Sequence, residues 1–194
     1  MSGRRKEKYD AILDGALQVI AENGFHQSQI SKIAKQAGVA DGTIYLYFKN
    51  KEDILITLFR ERLGDLIGRF HEGVKDTESA EEALRLICRL HYGELESNVH
   101  LAHVTQIELR QNNPELRRAI GDVVKTYISL IEQVLQKGVD EGIFRKDLDV
   151  KLTRLLLFGA MDEVVTSWLI AGRKYSLSAQ VGKTVDFFLR GLGA

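Results

Sequence analysis

A single proline, Pro114, stands in a chain of 194 residues. Sheets of short strands need frequent turn punctuation, and here it is mostly missing. Hydrophobic residues make up 44% of the chain, so the apolar material for a core is present. Long helices are the fold this pattern predicts, in an all-α chain of about nine. The length suffices for one large or two small domains. No apolar run approaches the roughly 20 residues of a membrane helix. The first residues, Met-Ser-Gly-Arg-Arg-Lys-Glu-Lys, carry charge with no apolar stretch behind them, unlike a signal peptide. Cys88 is the one cysteine, which leaves no internal disulfide and fits a reducing cytoplasm.

Ile12, Leu13, Ala16, Leu17 and Ile20 recur at helical spacing and predict a first helix over about Lys6 to Asn23. Gly24 supplies the left-handed residue that ends it. Ser28 is the expected N-cap of a second helix carrying Ile30, Ile33, Ala34 and Ala37, and Gly38 is its stop. A third, short helix over about Ala40 to Leu46 is rich in Gly, Thr and Tyr, with Phe48 as a core plug after it. Two short helices joined by a tight turn form a helix-turn-helix, whose second helix enters the DNA major groove. Lys51 opens a long helix to about residue 73, and polar residues 73–79 are the expected hinge. Ser79 caps the next helix, and a shorter one spans about Leu101 to Arg110. Asn113-Pro114-Glu115 is a helix start, with Asn113 as cap and Pro114 at the first helical position. That helix runs to about Glu141 and stops at Gly142. Asp149 starts another, to Gly172, and Ser176 starts the last.

The formal net charge is zero, which is unusual for a DNA binder. The distribution is uneven, however. Residues 1–51 hold eight Lys/Arg against five Asp/Glu, and residues 52–194 hold nineteen against twenty-two. The basic excess sits with the helix-turn-helix, where phosphates would lie. The expected division is a DNA-binding domain over 1–51 and a ligand-binding and dimerisation domain over 52–194.

The pattern Ala37-Gly38-Val39, Gly42-Thr43-Ile44-Tyr45, Tyr47-Phe48 and Lys51-Glu52, extended back to Ile33-Ala34 and Gly24-Phe25, resembles the signature of the TetR family of bacterial transcriptional regulators. The resemblance covers about the first 58 residues. It implies an all-helical homodimer that reads a palindromic operator with three-helix domains and binds a small inducer in its C-terminal domain. The string from His26 to Ile56, with Gln106-Ile107-Glu108-Leu109-Arg110-Gln111 and Asp162 to Trp168, is similar to the fatty-acid-degradation regulators of that family. That narrower resemblance implies release from DNA by long-chain acyl-CoA as effector, with no cofactor. Another hydrophobic ligand, such as a drug or aromatic compound, is the alternative. The family often has Ser or Thr where Ala40 stands, so Asp41 either caps the recognition helix or accepts a hydrogen bond from a cytosine amino group.

Docking in a major groove asks for small residues and polar tips. Gly42, Thr43, Tyr45 and Tyr47 fit that need, Lys51 fits a phosphate at a helix start, and Ser28 and Gln29 fit the opposite phosphate wall. Arg4 and Arg5 suit either a minor-groove arm or a solvated terminus. Val104, Ile107, Tyr127, Ile128, Ile131, Phe158, Met161, Val165 and Trp168 are candidate pocket lining, and equally ordinary core. Coenzyme A phosphates call for cations at the pocket mouth. Arg110, one turn from Gln106 on the same helix face, is the first candidate, ahead of Arg89. Gly159-Ala160 and the apolar face of the last helix suggest a subunit interface.

No phosphate loop, nucleophile elbow or dinucleotide fingerprint occurs. His100 and His103 share a helix face but lack a third metal ligand. An enzyme is therefore not the expectation, and a scaffold without a DNA role leaves Gly42, Thr43 and Tyr45 unexplained.

Overall fold

The computed structural model describes residues 3–193. Among these it has nine helices and no β-strand, as the proline-poor sequence predicts. They are α1 (Gly3–Asn23), α2 (Ile30–Gln36), α3 (Asp41–Ile44), α4 (51–75), α5 (Ala80–Ser97), α6 (Val99–Glu108), α7 (Pro114–Asp140), α8 (Val150–Ile170) and α9 (Val181–Leu192). Within α4, a π-helical turn, Phe59–Leu63, joins Lys51–Leu58 to Gly64–Lys75. No described helix is long and apolar enough to cross a membrane.

The helix ends follow local chemistry. Gly24 and Gly38 have φ of 73° and 67°, the conformation that stops α1 and α2. The Asn113 side-chain oxygen accepts from the Glu115 and Leu116 amides at 2.9 and 3.2 Å, capping α7. Ser79 and Asp149 cap α5 and α8 in the same way, through the Glu82 and Leu152 amides.

The chain forms two compact units. The first takes residues up to 64 together with 103–123, and the second takes 65–102 together with those from 124 on. These units are discontinuous in the chain, unlike the expected functional division at residue 51. The expected hinge at 73–79 lies wholly inside the second unit, and Gly73 to Lys75 are still helical.

In the first unit, Ile12, Leu13, Ala16 and Ile20 of α1 are buried with Ile33 and Ala34 of α2, Ile44 of α3 and Ile54, Leu55 and Leu58 of α4. Gly15 permits the approach of α2: a Cβ there would lie 3.1 Å from the Ala37 amide nitrogen. Two residues of the π-turn reach α1. Glu61 accepts from the Tyr9 hydroxyl at 3.3 Å, and the Arg62 guanidinium meets Asp14 at 2.6 Å.

In the second unit, Phe70, Leu84, Ile87, Cys88, Tyr92, Ile131, Leu135, Met161, Val165 and Val185 form the buried core. Its C-terminal end is tied down by a two-residue antiparallel bridge between Phe144 and Gly193, with the Arg145 amide donating to the Leu192 carbonyl at 2.9 Å. The Phe144 ring lies over Gly138, where a Cβ would come within 2.1 Å of it.

Candidate functional site

The helix-turn-helix is compact. The Val39 amide donates to the Ala34 carbonyl at 3.0 Å, so the turn closes directly on α2. The recognition helix α3 is shorter than expected, with four residues, because three-residue turns take over at Leu46 and Tyr47. Ala40 is its N-cap and gives no side-chain hydrogen bond. Asp41 occupies the first helical position, exposed, so it does not replace the missing cap.

Gly42 and Tyr45 are exposed, Tyr45 to 59%, and Thr43 is half-buried. A Cβ at Gly42 would meet nothing in this chain, so the space it leaves is open to an outside partner. Behind this face, Phe48 is buried as predicted and stacks on Tyr9, with ring centroids 5.4 Å apart. Tyr9 packs in turn near Tyr47, and the Arg5 guanidinium lies 5.9 Å over the Tyr47 ring. Burial and the Glu61 charge both raise the Tyr9 hydroxyl above its ordinary pKa, keeping it a neutral donor. Arg4 and Arg5 belong to α1, which begins at Gly3, so the expected flexible arm is a helix turn instead.

Two expected phosphate ligands have other tasks. Ser28 is 1% exposed, and its hydroxyl lies 2.8 Å from the Gly24 carbonyl and 3.2 Å from that of Val19, to which it donates. It closes the end of α1; the N-cap of α2 is the exposed Gln29, with no side-chain cap bond. The Lys51 ammonium donates to the Phe25 and His26 carbonyls at 2.8 and 3.1 Å and sits 4.5 Å over the Phe25 ring. Both residues stand at helix starts in sequence, but the α1–α2 loop folds back and takes up their polar atoms.

Glu108 was not among the sequence-predicted site residues. Its carboxylate is 4% exposed and accepts the Phe25 amide at 2.8 Å and the Gln111 side-chain amide. The one signal for it was an acid placed between two apolar residues, Ile107 and Leu109. Gln106 and Arg110 do share a face, since the Arg110 guanidinium donates to the Gln106 carbonyl at 2.6 Å. Arg110 is exposed, Gln106 and Val104 are buried, and Ile107 faces outward. Ile107, Glu108 and Arg110 line a depression of about 250 Å³ with Phe25 and His26.

Within the second unit, the candidate effector residues separate into two groups. Tyr127 stacks on Phe70 at 4.7 Å and meets Phe158 edge-on at 6.0 Å, with Ile131 buried and Ile128 half-buried on the same helix. The Tyr127 hydroxyl lies 3.2 Å from Nδ1 of the buried His91, whose Nε2 has no hydrogen-bond partner. Burial pushes His91 down to about 4 against the opposing charge of Asp162, and it raises the Tyr127 hydroxyl well above its ordinary value. Both groups are therefore neutral at pH 7. Met161, Val165 and Trp168 are buried on α8: Met161 touches Cys88, sulfur to sulfur, at 3.5 Å, and the Trp168 indole donates to the Tyr175 carbonyl at 2.8 Å. Arg89 is exposed on α5.

Apolar side chains of α8 and α9 are also exposed in this unit. Leu152, Leu155 and Leu156 of α8 and Phe187 of α9 are exposed, Leu156 to 63% and Phe187 to 74%. Leu156 and Phe187 line a groove of about 590 Å³ between the two helices.

The family model described as bacterial regulatory proteins of the tetR family matches residues 12–58, and that described as the YsiA-like protein C-terminal region matches residues 59–191. The fatty acid metabolism regulator protein of Bacillus subtilis is 48% identical over 189 residues, 97% of each chain. The crystal structure of FadR from B. subtilis in complex with stearoyl-CoA superposes with a TM-score of 0.91 at 49% identity, covering 95% of this chain and 99% of that one. The structure of the fatty acid degradation regulator FadR from Bacillus halodurans gives 0.90 at 47%, with the same coverage. A helix-turn-helix that exposes Gly42 and Tyr45, joined to a helical unit with a relative this similar along its whole length, makes this chain a member of the TetR family of bacterial transcriptional regulators.

Proposed function

We propose that the protein is a homodimeric repressor of fatty acid degradation genes that leaves a palindromic operator when long-chain acyl-CoA binds. The observation that carries this reading is similarity along nearly the whole chain to a regulator whose crystal structure holds stearoyl-CoA. Gly42, Thr43, Tyr45 and Tyr47 face the major groove, with Arg5 and Gln29 toward the phosphates. One short helix reads few base pairs, so a two-fold dimer with recognition helices about 34–36 Å apart supplies the rest. The exposed apolar groove of α8 and α9 supports that dimer, because contiguous apolar surface marks an interface.

Ile128, Ile131 and Phe158 suit an acyl chain, and Tyr127 with His91 offers it a neutral polar end. Arg110 suits a coenzyme phosphate. The effector acts by favouring a dimer whose recognition helices no longer match successive grooves. A preference of about 1–3 kcal/mol is enough for such coupling, and by linkage operator DNA weakens effector binding equally. Calorimetric titration with oleoyl-CoA tests the reading, with coenzyme A and oleate as controls below micelle-forming concentrations. Saturable binding of oleoyl-CoA alone supports it. No binding by dimeric, DNA-binding protein overturns the acyl-CoA part and points to another hydrophobic ligand.

A further inference from the structure

Phe25 is held at three points. Its amide donates to the buried Glu108 carboxylate at 2.8 Å, its carbonyl accepts from the Lys51 ammonium at 2.8 Å, and its ring lies under that ammonium. It also accepts the Ser28 amide at 3.2 Å, one residue before the cap of α2. The loop from Gly24 to Gln29 therefore takes its position from two charged side chains that belong to other helices. This matters for DNA reading because α2 carries the turn and α3, and a small rotation of α2 moves every residue of the recognition face. A carboxylate in a buried place costs free energy unless it is hydrogen-bonded, and both Glu108 oxygens are engaged, the second by Gln111. The carboxylate is thus committed to the loop.

Its neighbours make it informative. Glu108 ends α6, and Ile107 and Arg110 flank it on the wall of the depression that Phe25 and His26 complete. Any group bound at this turn meets the Glu108–Phe25 bond directly.

We propose that Glu108 is a positioning residue for operator binding: by holding the Phe25 amide it fixes the loop that orients α2 and α3, and an effector taken up at the turn from Ile107 to Arg110 acts by breaking that hold. The second half rests on the acyl-CoA reading above, whereas the first does not.

The test uses full-length protein and a fluorescent duplex recovered by selecting random duplexes on the wild type. Glu108→Ala should bind that duplex at least about tenfold more weakly, while its calorimetric affinity for oleoyl-CoA stays equal or becomes tighter. Glu108→Gln keeps an oxygen that accepts the same amide and should recover most of the loss. Unchanged duplex affinity in Glu108→Ala, or no recovery in Glu108→Gln, overturns the positioning role. Should Glu108→Ala fail to fold, hydrogen exchange of the Phe25 amide in the wild type decides. Protection without effector and faster exchange with oleoyl-CoA support the proposal, and equal protection overturns the release. Absence of oleoyl-CoA binding by the wild type would sink the acyl-CoA reading alone, since the duplex measurements stand without it.

Discussion

The rings of Tyr127 and His91 lie nearly parallel, 15° apart in plane, and the Tyr127 hydroxyl meets His91 Nδ1 at 3.2 Å. The pair fixes a neutral imidazole in the interior. Protonating it there strands a charge between the Tyr92 and Tyr127 rings, and the charge of Asp162 offsets part of the cost.

Acid should therefore destabilise the protein through His91. In the unfolded chain the imidazole takes up a proton near its ordinary 6.5, whereas in the folded protein it does so at about 4. Between those values the unfolded state binds more protons, so stability is full above pH 6.5 and falls as the pH drops toward 4, by on the order of 3 kcal/mol. Denaturant unfolding of the wild type and of His91→Gln at pH 7 and 4.5 checks this. A variant with the same pH dependence as the wild type would remove His91 from the account.

Tyr45→Ala should weaken operator binding by about 1–3 kcal/mol without changing the melting temperature, because the ring is exposed and packs on little of its own chain. Fluorescence anisotropy and calorimetry together separate the two effects. A lower melting temperature with unaltered DNA affinity would show a packing residue.

Lys51→Met should cost about 1–2 kcal/mol of stability, since two charge-assisted bonds to the α1–α2 loop disappear. A lysine spent on carbonyls releases no counterions from DNA. The slope of log affinity against log salt should therefore match the wild type, whereas loss of a phosphate contact lowers its magnitude by about 1.

Arg110→Ala should weaken oleoyl-CoA binding and leave operator affinity as it is. The guanidinium is exposed, and its bond to the Gln106 carbonyl lies within a single helix turn. Titration with oleoyl-CoA reads the first effect, and equal affinity in the two proteins would take Arg110 out of the effector site.

Phe187→Glu should yield monomers in sedimentation velocity and reduce operator affinity at least about tenfold, since a charge replaces the most exposed aromatic of the α8–α9 groove. A variant that remains dimeric would place the interface elsewhere.

What was legible in the sequence was what neighbouring residues decide. Asn113 and Pro114, Ser79, Asp149 and the glycines at 24 and 38 act within one helix turn, so their spacing suffices to place them. Phe48 could be read as a plug because an aromatic after a short polar helix has only the interior to enter. The misplaced residues were those whose partners are distant in the chain. Ser28 is a different case: its partners Gly24 and Val19 are near in the chain, but the fold of the loop turns its hydroxyl back on α1. Lys51 looks like a phosphate ligand until Phe25, 26 residues away, is seen to take its ammonium. Glu108 reaches a partner 83 residues earlier, which no periodicity encodes. The effector residues were the hardest to read, because apolar residues at helical spacing are required of any core. Met161, Val165 and Trp168 are as buried as Tyr127 and Ile131, so burial does not tell core from lining.

Gly138 closes one avenue of sequence change. Even alanine there would run into the Phe144 ring, and moving that ring pulls at the bridge through which Phe144 and Arg145 hold the last residues of the chain. Substitution at 138 is tolerable only with a smaller side chain at 144. The two positions form one unit of inheritance, and in a collection of related chains they should vary together or not at all.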